Sequence, residues 1–136
     1  MVKSGHIAII VALILFSITA CTTKYCLTRF GTAREGNPFV SIVFELFGVD
    51  SGLIISSLVL MSALFVIWRV GKINPHTASV TMLLILVLLS VNSINDILSA
   101  VYGNSIVNHF SSLIFIATII TIVLWVVFRE RLILKF

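Results

Sequence analysis

Four apolar runs, each near the length a helix needs to cross a bilayer, constrain this chain more than any other feature. A helix rising about 1.5 Å per residue needs about 20 mostly apolar residues to traverse a hydrocarbon core of about 30 Å. Runs at about 5–23, 52–70, 78–98 and 106–128 satisfy that length. Backbone N–H and C=O groups find no partners in lipid, so each run is expected to be helical. The 136 residues are 60% hydrophobic and only 10% charged, where soluble domains carry about 25% charge. Residues 1–136 therefore read as one transmembrane domain, with no polar stretch long enough for a separate soluble module.

Between the first two runs lies PFVSIVFELFG, about 38–48, too short to span. Asn37 suits an N-cap, Pro38 the first helical position and Gly48 the end. Ser41 and Glu45 fall on one face, with Phe39, Val40, Val43, Phe44 and Phe47 over most of the rest. An interfacial or re-entrant helix is expected. The fold class is thus an all-α integral membrane bundle of four transmembrane helices plus one short helix. Gly31, Gly71, Asn74-Pro75 and Gly103-Asn104 supply the breaks.

The net charge of +4 is dispersed singly or in pairs beside apolar runs, the pattern of membrane anchors rather than of nucleic-acid binding. Lys3, Arg69, Lys72, Arg129, Arg131 and Lys135 fall on one side, against Lys24, Arg29 and Arg34 on the other. That asymmetry predicts a multi-pass cell-membrane protein with both termini cytoplasmic. Trp68 and Trp125 stand where an aromatic belt would meet the cytoplasmic interface.

This topology gathers the polar residues outside. In VNSINDI, Asn92, Asn95, Asp96 and Ser99 recur at helical spacing and share a face directed into the bundle. Intramembrane carboxylates and amides mark ligand, ion or proton sites, and they also serve as hydrogen-bonded glue between helices. Both meanings stay open for Asp96. The segment Arg34-Glu35-Gly36-Asn37-Pro38 is a second polar cluster, equally readable as a helix start. The ligand-binding candidates are Glu35, Asn37, Asn92, Asn95 and Asp96.

Thr22-Thr23, then Gly31, then Glu35-x-Asn37-Pro38, then a short apolar helix and a further span resemble a family of small archaeal and bacterial membrane proteins, a domain of unknown function. The resemblance covers about residues 19–70, with an Asn-bearing later helix matching Asn92 and Asn95. Members carry an Asp about one turn before the Thr pair, where this chain has Thr19 and Ala20. The resemblance implies a multi-pass fold and no established activity.

No catalytic set, cofactor or metal is expected. Cys21 and Cys26 are five apart, so on a helix they point apart and form no redox CxxC. Ile18-Thr19-Ala20-Cys21 has the form of a lipobox, though the run it ends also serves as the first span. His6 and His109 lie on opposite sides, and no zinc, phosphate-loop or nucleophile-elbow motif occurs. Three functions remain. The first is a non-enzymatic membrane subunit, scaffold or assembly factor, with the bilayer and a homo-oligomer or larger membrane complex as partners. The second binds or transports a small ligand, lipid or ion at an outward-facing polar site. The third is an intramembrane lipid-modifying enzyme using Glu35 with Asp96.

Overall fold

The computed structural model describes residues 4–30, 38–102, 110–128 and 133–136. Within them the chain is helical: α1 Ser4–Phe30, α2 Pro38–Phe47, α3 Val49–Gly71, α4 Pro75–Tyr102 and α5 Phe110–Phe128. Three of these, α1, α3 and α4, are long and apolar enough to cross a membrane. The fourth apolar helix, α5, is shorter, and the start of the run expected at 106–128 lies outside the described residues.

α1 outruns its apolar segment by a full turn and more. Thr22 and Thr28 turn their hydroxyls back onto the carbonyls of Ile18 and Lys24, at 2.9 and 2.8 Å, so the helix carries hydroxyl groups past Thr23 without unpaired donors. Beyond the apolar run, Lys24 of α1 meets Asp50 in the first turn of α3 at 2.6 Å. That contact puts the end of α1 and the start of α3 at the same end of the bundle.

Gly48 alone separates α2 from α3. Its φ of 78° with ψ of 164° is a conformation that essentially only glycine adopts, and it lets the chain turn while both helices keep their ladders. The Gly48 N–H closes α2 on Phe44 C=O, and Gly48 C=O receives Gly52 N–H, both at 2.9 Å. Phe44 is buried against Gly52, where a Cβ would stand 2.3 Å from the ring. The short helix is thereby packed onto α3, with Ile42, Leu46 and Phe47 exposed. Ser41 donates to Glu45 at 3.4 Å, so the expected polar face is present. The Asn37 cap lies outside the described residues.

α4 is the central helix, packed against α1, α3 and α5. At one end its Ala78 and Met82 close against Ala8 and Ala12 of α1 and Leu64 and Ile67 of α3. Alanines let backbones approach closely, which drives helix pairing where lipid is as apolar as the side chains. Outside this core the helices present Ile, Leu, Val and Phe to their surroundings, including Ile54, Leu58, Phe65, Phe115 and Val126.

The segment 133–136 adds a feature that periodicity did not foretell: it returns to the alanine-lined end as a strap. Gly5 N–H donates to Lys135 C=O at 2.9 Å, Lys135 N–H to Ser4 Oγ at 2.9 Å, and Leu134 N–H to Ser79 Oγ at 2.8 Å. Phe136 is 8% exposed and lies over Gly5 and Gly71, where Cβ atoms would stand 2.7 and 2.3 Å from its ring. The start of α1, the end of α3, the start of α4 and the strap thus share one end of the bundle.

Candidate functional site

The opposite half of the α1/α4 contact is polar. Asn92 and Asp96 are one turn apart on α4, and Asn92 Nδ2 donates to Asp96 Oδ2 at 3.3 Å. Thr23 Oγ1 of α1 donates to the same oxygen at 3.2 Å. One carboxylate oxygen therefore gathers a donor from its own helix and one from the neighbour. Cys26 approaches from the next turn of α1, its Sγ 3.9 Å from the Asp96 carbonyl.

One turn deeper, Ser93 is only 4% exposed. Its hydroxyl donates to Leu89 C=O at 2.7 Å and lies 3.3 Å from Leu15 C=O. Thr19 Oγ1 stands 2.7 Å from Ser93 Oγ. Because a serine has one proton, Thr19 is the donor of that pair when Ser93 satisfies its own helix. Along the seam, partners rise together from Thr19 with Ser93 to Thr23 with Asp96, so α1 and α4 run parallel.

Asp96 thus faces the bundle interior and is paired, as expected for a carboxylate that would cost a few kcal/mol facing hydrocarbon. Asn92 shares its site. Asn95 is buried at 8% exposure on the same helix, and Ser99 is half-buried. Glu35 and Asn37 lie outside the described residues, and with them the Glu35–Asp96 pairing. Sequence reasoning missed Ser93 and Thr19, the most enclosed link of the seam. Ser93 lies three residues before Asp96, so helical spacing could have included it. Within the Thr pair, Thr23 reaches across, whereas Thr22 bonds to Ile18 and Thr19 carbonyls of its own helix.

Chemically, the seam is a set of short hydroxyl, amide and carboxyl side chains joined to one another or to backbone. Among the described residues no group of three His, Cys, Asp or Glu could hold a metal ion. Cys21 and Cys26 are both free thiols, Cys21 exposed and Cys26 half-buried against α4.

At the strap end lies a second cluster. On α3, Phe65 and Trp68 have ring centroids 5.8 Å apart. Arg69 Cζ is 5.7 Å from the Phe65 centroid and 6.0 Å from that of Trp68, and Lys72 Nζ is 3.7 Å from the Trp68 centroid. These are cation–π distances. At the other end, Arg29 lies over Tyr25 at 5.8 Å. Comparison with protein-family models, with curated proteins and with solved structures returned no match.

Proposed function

We propose that this chain is a four-span membrane protein with both termini cytoplasmic, serving as a non-enzymatic subunit, scaffold or assembly factor. The observation that carries the reading is the seam itself. Thr19 is hydrogen-bonded to Ser93, and Thr23 and Asn92 both donate to Asp96, so these side chains join α1 to α4. That is the behaviour of interhelical glue, and it leaves the apolar outer faces of α3 and α5 as the surface a partner would meet.

The fourth crossing is supported by the strap. The chain leaves α4 at Tyr102 and is back beside Gly5 at Lys135, with the 19-residue α5 between. At about 1.5 Å per residue, α5 matches the hydrocarbon thickness of about 30 Å. The side assignment follows the distribution of Lys and Arg. On a cysteine-free background, a membrane-impermeant thiol reagent added from outside should label Ser51→Cys and spare Ile73→Cys; the reverse pattern inverts the topology.

The subunit reading is tested in native membranes with a photoreactive amino acid at Leu58, exposed on α3, or at Phe115, exposed on α5. A discrete protein adduct from one position, together with co-migration after mild detergent extraction, is expected. Lipid adducts alone, with a clean monomer on extraction, overturn it.

A further inference from the structure

The α3–α4 turn combines features that the seam does not use. Arg69 and Lys72 lie within 6.0 and 3.7 Å of one indole centroid, so two like charges are held beside a single ring. Both side chains are exposed, and no carboxylate side chain among the described residues forms an ion pair with either. Immediately after them Ile73 is 88% exposed, in a turn closed by Ile73 N–H and Asn74 N–H on Val70 C=O at 2.9 and 2.7 Å. Phe65, one turn back, is also exposed. An exposed Phe65 one turn deeper along α3, a half-buried Trp68 and two exposed cations at the helix end together fit one environment: acyl chain at the level of Phe65, and anionic headgroup at the level of the cations.

We propose that Arg69 and Lys72, levered by Trp68, form a binding site for the phosphate of an anionic phospholipid. Trp68 fixes the lysine stem through its ring face, which lowers the entropy lost when the ammonium meets phosphate. The Arg69 guanidinium supplies a planar pair of donors to phosphate oxygens. The site rests on α3 spanning a membrane and is independent of the subunit reading.

The 136-residue chain carrying Trp125→Phe has Trp68 as its one indole and can report on its own neighbours. In nanodiscs, brominated phosphatidylglycerol should quench Trp68 more than an equal fraction of brominated phosphatidylcholine. That preference should fall about fivefold for Arg69→Gln or Lys72→Gln, the equivalent of about 1 kcal/mol per basic residue at a membrane surface. Lys72→Arg should retain it. Equal quenching by the two lipids overturns the proposal, as does a preference that survives the double Gln variant. In mixed micelles, loss of the preference on adding inorganic phosphate would assign the site to free phosphate and overturn the lipid assignment.

Discussion

Phe136→Ala isolates what holds the strap in place. Three backbone N–H or C=O groups of the strap are hydrogen-bonded to Ser4, Gly5 and Ser79, and each such bond contributes about 1 kcal/mol net. Ordering the backbone of residues 133–136 costs about 1 kcal/mol or slightly more per residue, which nearly cancels those bonds. The main apolar contribution is the ring of Phe136, 8% exposed, whose burial at the aqueous end of the bundle is worth about 2 kcal/mol. The ring therefore decides whether the strap docks, and its removal should release the strap without unfolding the helices. A loss of about 2 kcal/mol is about 30-fold in the docking equilibrium. Hydrogen exchange read residue by residue should show the amides of Gly5, Leu134 and Lys135 accelerating by about that factor, with Leu84 and Leu88 in mid-α4 unchanged. Gly71→Ala should produce the same pattern from the other side, because its Cβ would stand 2.3 Å from Phe136 Cδ2. The double variant should be no worse than either single change, since both remove one contact. Unchanged exchange at the three amides would refute the reasoning, and so would additive losses in the double variant.

Asp96→Asn keeps an acceptor for Thr23 and Asn92, so thermal unfolding in detergent should register less than about 1 kcal/mol of change, whereas Asp96→Leu should lose about 1–3 kcal/mol by stranding both donors. If instead Asp96→Asn leaves the fold intact but abolishes binding of an ion or ligand, the glue reading of the seam fails. Gly48→Ala meets no atom within 4 Å, so its cost of about 1–3 kcal/mol should come from the backbone conformation alone and appear as faster exchange across α2; no change in α2 protection would mean that the turn does not need the positive-φ conformation.

Much of this architecture can be read from the sequence, because helices in lipid are bounded by hydropathy and by breakers. Gly71 and Asn74-Pro75 mark the α3–α4 turn, and Gly48 marks the end of α2. Where the expected borders fall short, the cause is local chemistry. α1 runs to Phe30 and α4 to Tyr102 because a helix does not stop at the hydrocarbon edge when its polar side chains can bond their own carbonyls or water. On α4, spacing placed Asn92 and Asp96 on one face, but nothing in the periodicity of one helix names the helix it meets. Thr19 and Thr23 therefore emerged as partners only in three dimensions. The strap was illegible for a different reason: residues 133–136 belong to no periodic element, and the cleft for Phe136 is made by the absence of side chains at Gly5 and Gly71.

The placement of the polar residues follows from connectivity. α3 and α4 are joined by a tight turn, and α4 and α5 are consecutive in the chain, so covalent tethering holds both pairs near each other. α1 and α4 have no such tether, since α2 and α3 intervene, and they run parallel, which no short loop can enforce. In lipid the hydrophobic effect does not choose between neighbours, so register must come from close backbone approach or from hydrogen bonds. The α1/α4 pair uses both: Ala8, Ala12 and Ala78 at one end, and Thr19–Ser93 with Thr23–Asp96–Asn92 at the other. Sliding α1 by one turn in one direction would set Leu27 opposite Asp96, and in the other would draw Thr19 away from Ser93 and set Leu15 there, so either shift breaks a bond of the seam. The seam thereby sets register at a contact the chain cannot set by its loops, which gives Asp96 a structural role inside the bundle.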